Sequence, residues 1–300
     1  MKIGIIGGGS IGMLFAALLS DSFPIVLYTR TVMQSDEINK NGIVLIQNGK
    51  ETRKNVSALP IFDYRGTEDL TLISVKQYQL EEILEMLQNP DVAKGSLAFL
   101  QNGMSHLKLL SNLEHENIIV GSVEHGAYRV NAFTVRHNGI GATRMAVFKG
   151  NGNLLSNFAA FAPQQFPLIL EHDYYEMLLK KLIANAIINP LTALLGVENG
   201  QLIENQHYLN VFMELFEEIA TVLNLKNRQE YINQVVEICR KTAENRSSML
   251  KDIEAKRRTE VDAILGYILE EALKQGKKVP LSHSLFHFVK GKEIFREGFS

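Results

Sequence analysis

The chain has 300 residues, enough for one large or two medium domains. Hydrophobic residues make up 46% and charged residues 21%, ordinary for a soluble globular protein, and a formal net charge of -2 gives no general attraction to nucleic acid or anionic membrane. The single cysteine, Cys239, excludes an internal disulfide and a cysteine-based metal motif.

Lys2 and the apolar run after it could pass for a signal peptide, but Gly4, Gly7, Gly8, Gly9 and Gly12 interrupt the run, and no convincing cleavage site follows Leu19. No other segment offers about 18 uninterrupted apolar residues, as a membrane span requires. The expectation is a cytoplasmic protein with no nucleic-acid or membrane partner.

In the first half, short apolar runs alternate with amphipathic stretches. Residues 2–7 read as a buried strand and 10–20 as a helix. Residues 24–29 form a second strand, with shorter candidates at 44–47 and 53–58. A buried strand at 70–75 precedes a helix at 79–87, and strands at 96–100 and 117–122 continue the series. This alternation implies a mostly parallel sheet with right-handed crossovers. Residues 134–136 and 145–149 flank a glycine-containing turn and are expected to add an antiparallel hairpin at the sheet edge. After Pro167 strand signals vanish, and helical periodicity runs through 174–195, 208–223, 228–249 and 261–275. The expected architecture is an α/β Rossmann-type dinucleotide-binding domain over 1–167 followed by an all-α domain over 168–300.

Gly7-Gly8-Gly9-Ser10-Ile11-Gly12 fits G-x-G-x-x-G, and it stands where the first strand gives way to the first helix. Gly7 would permit the tight turn, Gly9 close approach to a pyrophosphate, and Gly12 packing of helix on strand, while the helix start offers its N–H groups to phosphate. An NAD enzyme usually carries an acid about 20 residues on, for the ribose 2′-hydroxyl. Tyr28-Thr29-Arg30 stands there instead. Arg30 could pair with a 2′-phosphate or be a plain surface arginine; the missing acid favours NADPH in either case.

Lys181, Asn185 and Asn189 fall at i, i+4 and i+8, one narrow polar stripe on an otherwise apolar helix. Buried polar groups need partners. On the residues alone, a binding site and a stripe that simply faces water or bonds a neighbouring helix are about equally supported. Thr259, with Asp262 three residues on, looks like a capping-box helix start, which would put Glu260 in the first turn. Capping its own helix would account for Glu260 as well as a site role would. His283 and His287 have the spacing of a metal pair but lack the intervening Glu of the zinc-protease motif, so no metal is expected.

Taken together, the glycine motif, Val75-Lys76, Gln101-Asn102-Gly103, Lys181-Leu182 with Asn185, Asn189-Pro190-Leu191-Thr192-Ala193, Asn199-Gly200, Ser247-Ser248-Met249 with Asp252, and Thr259-Glu260 with Gly266 resemble the ketopantoate reductases, over essentially the whole length. A departure is Leu179, where many members have tryptophan. The resemblance implies reduction of 2-dehydropantoate by NADPH in pantothenate and coenzyme A biosynthesis. It implies that Lys181 is the general acid, that Asn185, Asn189 and Ser248 bind the keto acid, and that Glu260 orients substrate and cofactor. Asn199, and less firmly Asn245, are further substrate candidates by position. Lys76 and Asn102 fall to the cofactor or the reacting centre, and Gly126 to cofactor contact through its backbone; His125 is structural. A reductase of another 2-keto acid and a non-catalytic NADP(H) sensor remain as alternatives, and a monomer and a homodimer are both compatible with the sequence.

Overall fold

The structure is a computed structural model that describes residues 1–294. The chain divides into two compact units, Met1–Gln101 with His106–Met177, and Asn102–Ser105 with Leu178 onward. The division therefore falls ten residues after the shift in pattern at Pro167, inside a helix, and the short segment 102–105 joins the helical unit.

The first unit is an α/β unit. Its strands are β1 (Ile3–Ile6), β2 (Ile25–Thr29), β3 (Ile43–Gln47), β4 (Lys50–Lys54), β5 (Ser57–Pro60), β6 (Leu70–Ile73), β7 (Ser96–Phe99), β8 (Ile118–Val123), β9 (Gly126–Arg129), β10 (Thr134–Gly139), β11 (Thr143–Lys149) and β12 (Leu168–Leu170). Helices α1 (Ser10–Leu19), α2 (Val32–Asn41), α3 (Leu80–Leu87), α4 (Leu107–Leu110) and α5 (Asn153–Phe161) accompany them. Eight strands form the main sheet in the order β12-β11-β8-β7-β6-β1-β2-β5, and four form a second sheet in the order β4-β3-β10-β9. From β8 to β5 every pairing in the main sheet is parallel. The all-buried runs Ile3–Ile6 and Leu70–Ile73 are what a central parallel strand covered on both faces requires.

Helix α1 packs on β1 and β2 of the main sheet and on β3, β9 and β10 of the small one. Both of its faces are thus covered, and every residue from Gly12 to Leu19 is buried. This explains the signal-peptide look of the segment, because a helix apolar all round is a core helix. Phe15 meets Phe166 edge-on at 4.7 Å between ring centroids, and burying a side chain of that size contributes about 1.5–3 kcal/mol.

Two expectations about strands are corrected. The hairpin does not form: β10 pairs with β3 and β9 in the small sheet, while β11 pairs with β8 and β12 in the main one. The connector crosses between sheets, and Gly141 passes so near Glu124 that a methyl group would stand 2.3 Å from its carbonyl oxygen. The strand expected at 53–58 is likewise two, β4 and β5, one in each sheet. At the outer edge of β5 the Asn39 side chain closes two hydrogen bonds on Ala58, accepting from its N–H at 2.8 Å and donating to its carbonyl at 2.9 Å. That side chain covers an open sheet edge.

The second unit is helical: α6 (Tyr174–Leu195), which begins in the first unit, then α7 (Gln201–Glu204), α8 (Gln206–Val222), α9 (Arg228–Lys241), α10 (Ser248–Glu254), α11 (Val261–Lys274) and α12 (Pro280–Ile294). By length and composition α6 could cross a membrane, with 22 residues and a mean hydropathy of 1.4, but 72% of its most apolar window is buried inside the protein. The helix expected over 228–249 is broken. Its last stretch bonds back to the chain after α6, Ala243 accepting from the Gly200 N–H and Asn245 from the Asn199 N–H, each at 3.0 Å.

Burial holds His106, His115 and His125 neutral, pushing each pKa from its ordinary value near 6.5 down to about 4; nearby Lys94 and Lys149 add to this at His115, and His137 at His125. Both ring nitrogens of His106 are buried with no hydrogen-bond partner among the described residues. The unfolded chain takes up these protons near its ordinary pKa, and the native chain does not. Their contribution is present above pH 6.5 and lost as pH falls towards about 4. The melting temperature should therefore fall steadily across that window. His106→Leu should flatten the fall while leaving the neutral-pH value unchanged or higher. An unchanged acid slope in the variant's thermal melts would remove His106 from this account.

Candidate functional site

In the first unit the glycine motif forms the turn between β1 and α1. Gly7 has φ +117°, a region disfavoured for side-chain-bearing residues, and its N–H donates to the Tyr28 carbonyl at 2.9 Å. A methyl group on Gly12 would stand 1.9 Å from the Gly7 carbonyl oxygen, so that glycine answers to helix packing. A methyl group on Gly9 would meet nothing within 4 Å. Gly9 is the N-cap of α1 and no side chain caps the helix. A turn with free space at its tip, leading into an uncapped helix start, can receive an anion.

Three polar side chains that the sequence reading did not single out hold this turn. The Ser74 hydroxyl lies 3.0 Å from the Ile6 and 3.2 Å from the Gly7 carbonyl. Gln34 Nε2 donates to the Gly8 carbonyl at 2.8 Å. Arg129 donates its backbone N–H to Ser10 Oγ at 3.1 Å and Nη1 to the Gly8 carbonyl at 3.2 Å. Ser74 lies just after a strand end, which is a usable signal; Gln34 and Arg129 reach the turn only through tertiary packing.

Arg30 follows β2 directly and is exposed. Beside it Thr31 caps α2, accepting from the Gln34 N–H at 3.3 Å. Lys76 is half-buried, three residues beyond β6. Gly126 opens β9, and a methyl group there would come within 3.2 Å of the Gly139 nitrogen, so strand pairing is one reason for glycine. His125 is buried between Phe15 and Phe166, its Nδ1 3.1 Å from His137 Nε2. Burial keeps this imidazole neutral, with its pKa lowered to about 4.

In the second unit α6 carries the polar stripe. Lys181 and Asn185 are half-buried and Asn189 is buried. No hydrogen bond of the Asn185 or Asn189 side chain is found among the described residues. The two amides thus form no bonded network with a neighbouring helix among the described residues, and neither has a polar atom buried without a partner. Pro190 within the helix cannot donate to the Ala186 carbonyl four residues back. One turn after Asn189, Thr192 Oγ1 and Ser247 Oγ are 2.7 Å apart. Ser247 also caps α10, which makes Ser248 its first residue, exposed. Asn199 is buried, its Nδ2 donating to Thr242 Oγ1 at 2.9 Å, while its Oδ1 has no partner among the described residues. The turn at 242–247 thereby gathers Asn199, Asn245 and Ser248 beside the segment of α6 that holds Asn189.

Glu260 corrects the capping-box expectation. It is itself the N-cap of α11, yet its side chain makes no cap bond. Asp262 does not reach back either; it pairs with Arg258 at 3.3 Å and Lys290 at 3.0 Å. The Glu260 carboxylate, buried, accepts from Asn102 Nδ2 at 2.8 Å. Asn102 is placed by Gly103, where φ is +84° and a methyl group would stand 2.2 Å from the Ala263 carbonyl oxygen. Asn102 and Glu260 are thus brought together. On α12 the Nε2 atoms of His283 and His287 lie 3.2 Å apart, and no cluster of three or more potential metal ligands is found among the described residues.

Two family models match the chain: "Ketopantoate reductase PanE/ApbA" over residues 3–150 and "Ketopantoate reductase PanE/ApbA C terminal" over residues 173–293. The 2-dehydropantoate 2-reductase of Bacillus subtilis is 40% identical, with 98% of each chain covered. A solved structure of a probable 2-dehydropantoate 2-reductase from the same organism superposes with a TM-score of 0.90 at 39% identity, covering 98% of this chain and 100% of that one. The ternary structure of a D-mandelate dehydrogenase with NADH and anilino(oxo)acetate shares the fold at 23% identity, TM-score 0.88, with 98% of each chain covered.

The unequal surroundings of the glycines make a test. Gly12→Ala should destabilise the protein by about 1–3 kcal/mol or more, because backbone must move to admit the methyl group. Gly9→Ala should cost under about 1 kcal/mol, the scale of losing a favourable N-cap residue. Equal losses in urea melts of the two variants would refute this geometry.

Proposed function

The chain belongs to the ketopantoate reductase family, and on that premise we propose that it reduces 2-dehydropantoate to pantoate with NADPH, in pantothenate and coenzyme A biosynthesis. The full-length likeness to the Bacillus subtilis reductase carries this reading. The turn supports it: the space at Gly9 suits a pyrophosphate, and exposed Arg30, in the place of the usual acid, suits a 2′-phosphate.

Gly7 to Gly12, with Ser10 and Ile11, would hold the diphosphate, and Arg30 the 2′-phosphate. Lys76, Asn102, Gly126 and Glu260 would complete the hold on the nucleotide. When bound, NADPH supplies a hydride to the ketone carbon. Lys181, as an ammonium ion, stabilises the charge that develops on the ketone oxygen and gives it a proton, so ketone becomes hydroxyl. Asn185, Asn189 and Ser248 orient the carboxylate and hydroxyl of the substrate, with Asn102 on the same molecule. The buried Asn199 Oδ1 offers a further acceptor for a substrate hydroxyl. Glu260, with no cap bond to its own helix, orients substrate and nucleotide. The 1–167 and 168–300 segments divide this work between nucleotide and substrate, in a cytoplasmic monomer or homodimer. A second reading, another 2-keto acid, is favoured by the D-mandelate dehydrogenase likeness, since one fold serves several substrates.

The deciding assay follows NADPH oxidation with 2-dehydropantoate and a panel of other 2-keto acids. The highest kcat/KM should be with 2-dehydropantoate; a higher value for another keto acid supports the second reading. Lys181→Ala should lower kcat by roughly two to four orders of magnitude, the range of a positioned acid, with unchanged NADPH affinity. A stably folded variant with near-normal single-turnover hydride transfer would remove Lys181 from the mechanism. Arg30→Ala should weaken NADPH and leave NADH nearly unchanged; equal losses would show that Arg30 does not read the 2′-phosphate.

A further inference from the structure

The glycine turn and α1 bring no charge to an anion. From Gly7 to Leu19 no residue is ionisable. A helix start counts for roughly half a positive charge, against about two negative charges on a nucleotide diphosphate. Arg129 is a cationic side chain that hydrogen-bonds directly to the turn.

Arg129 is fixed at both ends. Its backbone is held in β9 by pairing with Val135 and by its N–H to Ser10 Oγ at 3.1 Å. Its guanidinium reaches the Gly8 carbonyl at 3.2 Å and is otherwise exposed. A guanidinium has five N–H donors in a planar fork suited to phosphate oxygens; one of them is engaged at Gly8. Gln34 shares that carbonyl. In a trans peptide the Gly8 carbonyl and the Gly9 N–H point in opposite directions, so tethering the first orients the second.

We propose that Arg129 is the charge-bearing ligand of the nucleotide diphosphate, reaching the glycine turn from the small sheet and holding the Gly8 carbonyl while its remaining N–H groups meet phosphate oxygen. This rests on the dinucleotide reading above and adds to it a residue that neither motif nor resemblance supplied. Arg129 and Arg30 then do different work: Arg30 distinguishes the two nucleotides, and Arg129 grips the group they share.

The test titrates the full-length protein with NADPH, NADH and ADP by fluorescence or calorimetry, in wild type and in Arg129→Ala, Arg129→Lys and Arg129→Gln. Arg129→Ala should weaken all three ligands by a common factor, about ten- to a hundredfold, the scale of a lost charge-assisted contact. Arg129→Lys should recover most of that affinity. Arg129→Gln keeps a side-chain N–H donor but carries no charge, and should not recover it. Wild-type affinity should also fall more steeply with salt than that of Arg129→Gln. Wild-type affinity in Arg129→Ala, or full recovery by Gln, overturns the proposal while leaving the dinucleotide reading intact. Absence of binding of any nucleotide to the wild type overturns that reading, and this proposal with it. Should Arg129→Ala melt early, the Lys and Gln variants still decide by charge alone.

Discussion

The close approach of Gly12 to the Gly7 carbonyl is the contact on which the first unit depends. It leaves no room even for a methyl group, and it brings the start of α1 directly onto the end of β1. With its start fixed there, α1 lies under the small sheet as well as on the main one. A helix between two sheets has no face for a charged residue, and α1 carries none. The consequence is a turn and helix with no cation of their own. A cation beside the turn therefore comes from outside α1, and Arg129 of β9 is one whose side chain reaches it.

The same logic of apolar surroundings governs α6. Its composition is close to that of a membrane span because its neighbours bury it. Against that background the amides of Asn185 and Asn189 stand out: neither bonds a neighbour among the described residues, and neither has a polar atom buried without a partner, so both keep some access to solvent. Thr192, on the same helix, shows the contrast: it bonds Ile188, Asn189 and Ser247 and is fully satisfied. Polar groups on α6 therefore fall into two kinds, one used by the fold and one left over. The leftover kind is the pair that the family resemblance assigns to substrate.

Much of the parallel sheet was legible because central strands are short, apolar and separated by helices, and the start of α1 was legible because each motif glycine has its own physical reason. What failed to show was structure that exists only through partners distant in sequence. β9 needs β10, and β4 and β5 look like one strand until their sheets are known. α2 was missed because its sequence is polar, although Thr31 and Gly42 mark its ends. The break after Lys241 is set by bonds to Asn199 and Gly200, forty residues earlier. The resemblance located the candidate site residues; the spacing of the α6 stripe alone left site and scaffold open.

Glu260 shows how the two kinds of information combine. Read locally, a glutamate at a helix start is a cap, and nothing in the sequence separates that use from a binding role. In the structure the cap work is done elsewhere. The Thr259 hydroxyl accepts from the Val261 N–H at 3.2 Å, and the Glu293 carboxylate receives both the N–H and the hydroxyl of Thr259, at 2.7 and 2.6 Å. Glu293 is in turn paired with Lys290. The helix start is thus secured through a carboxylate from α12, while the side chain of Glu260 accepts from Asn102. The local sequence shows none of this, because the carboxylate that secures the helix start lies on α12 and the amide that Glu260 meets follows β7.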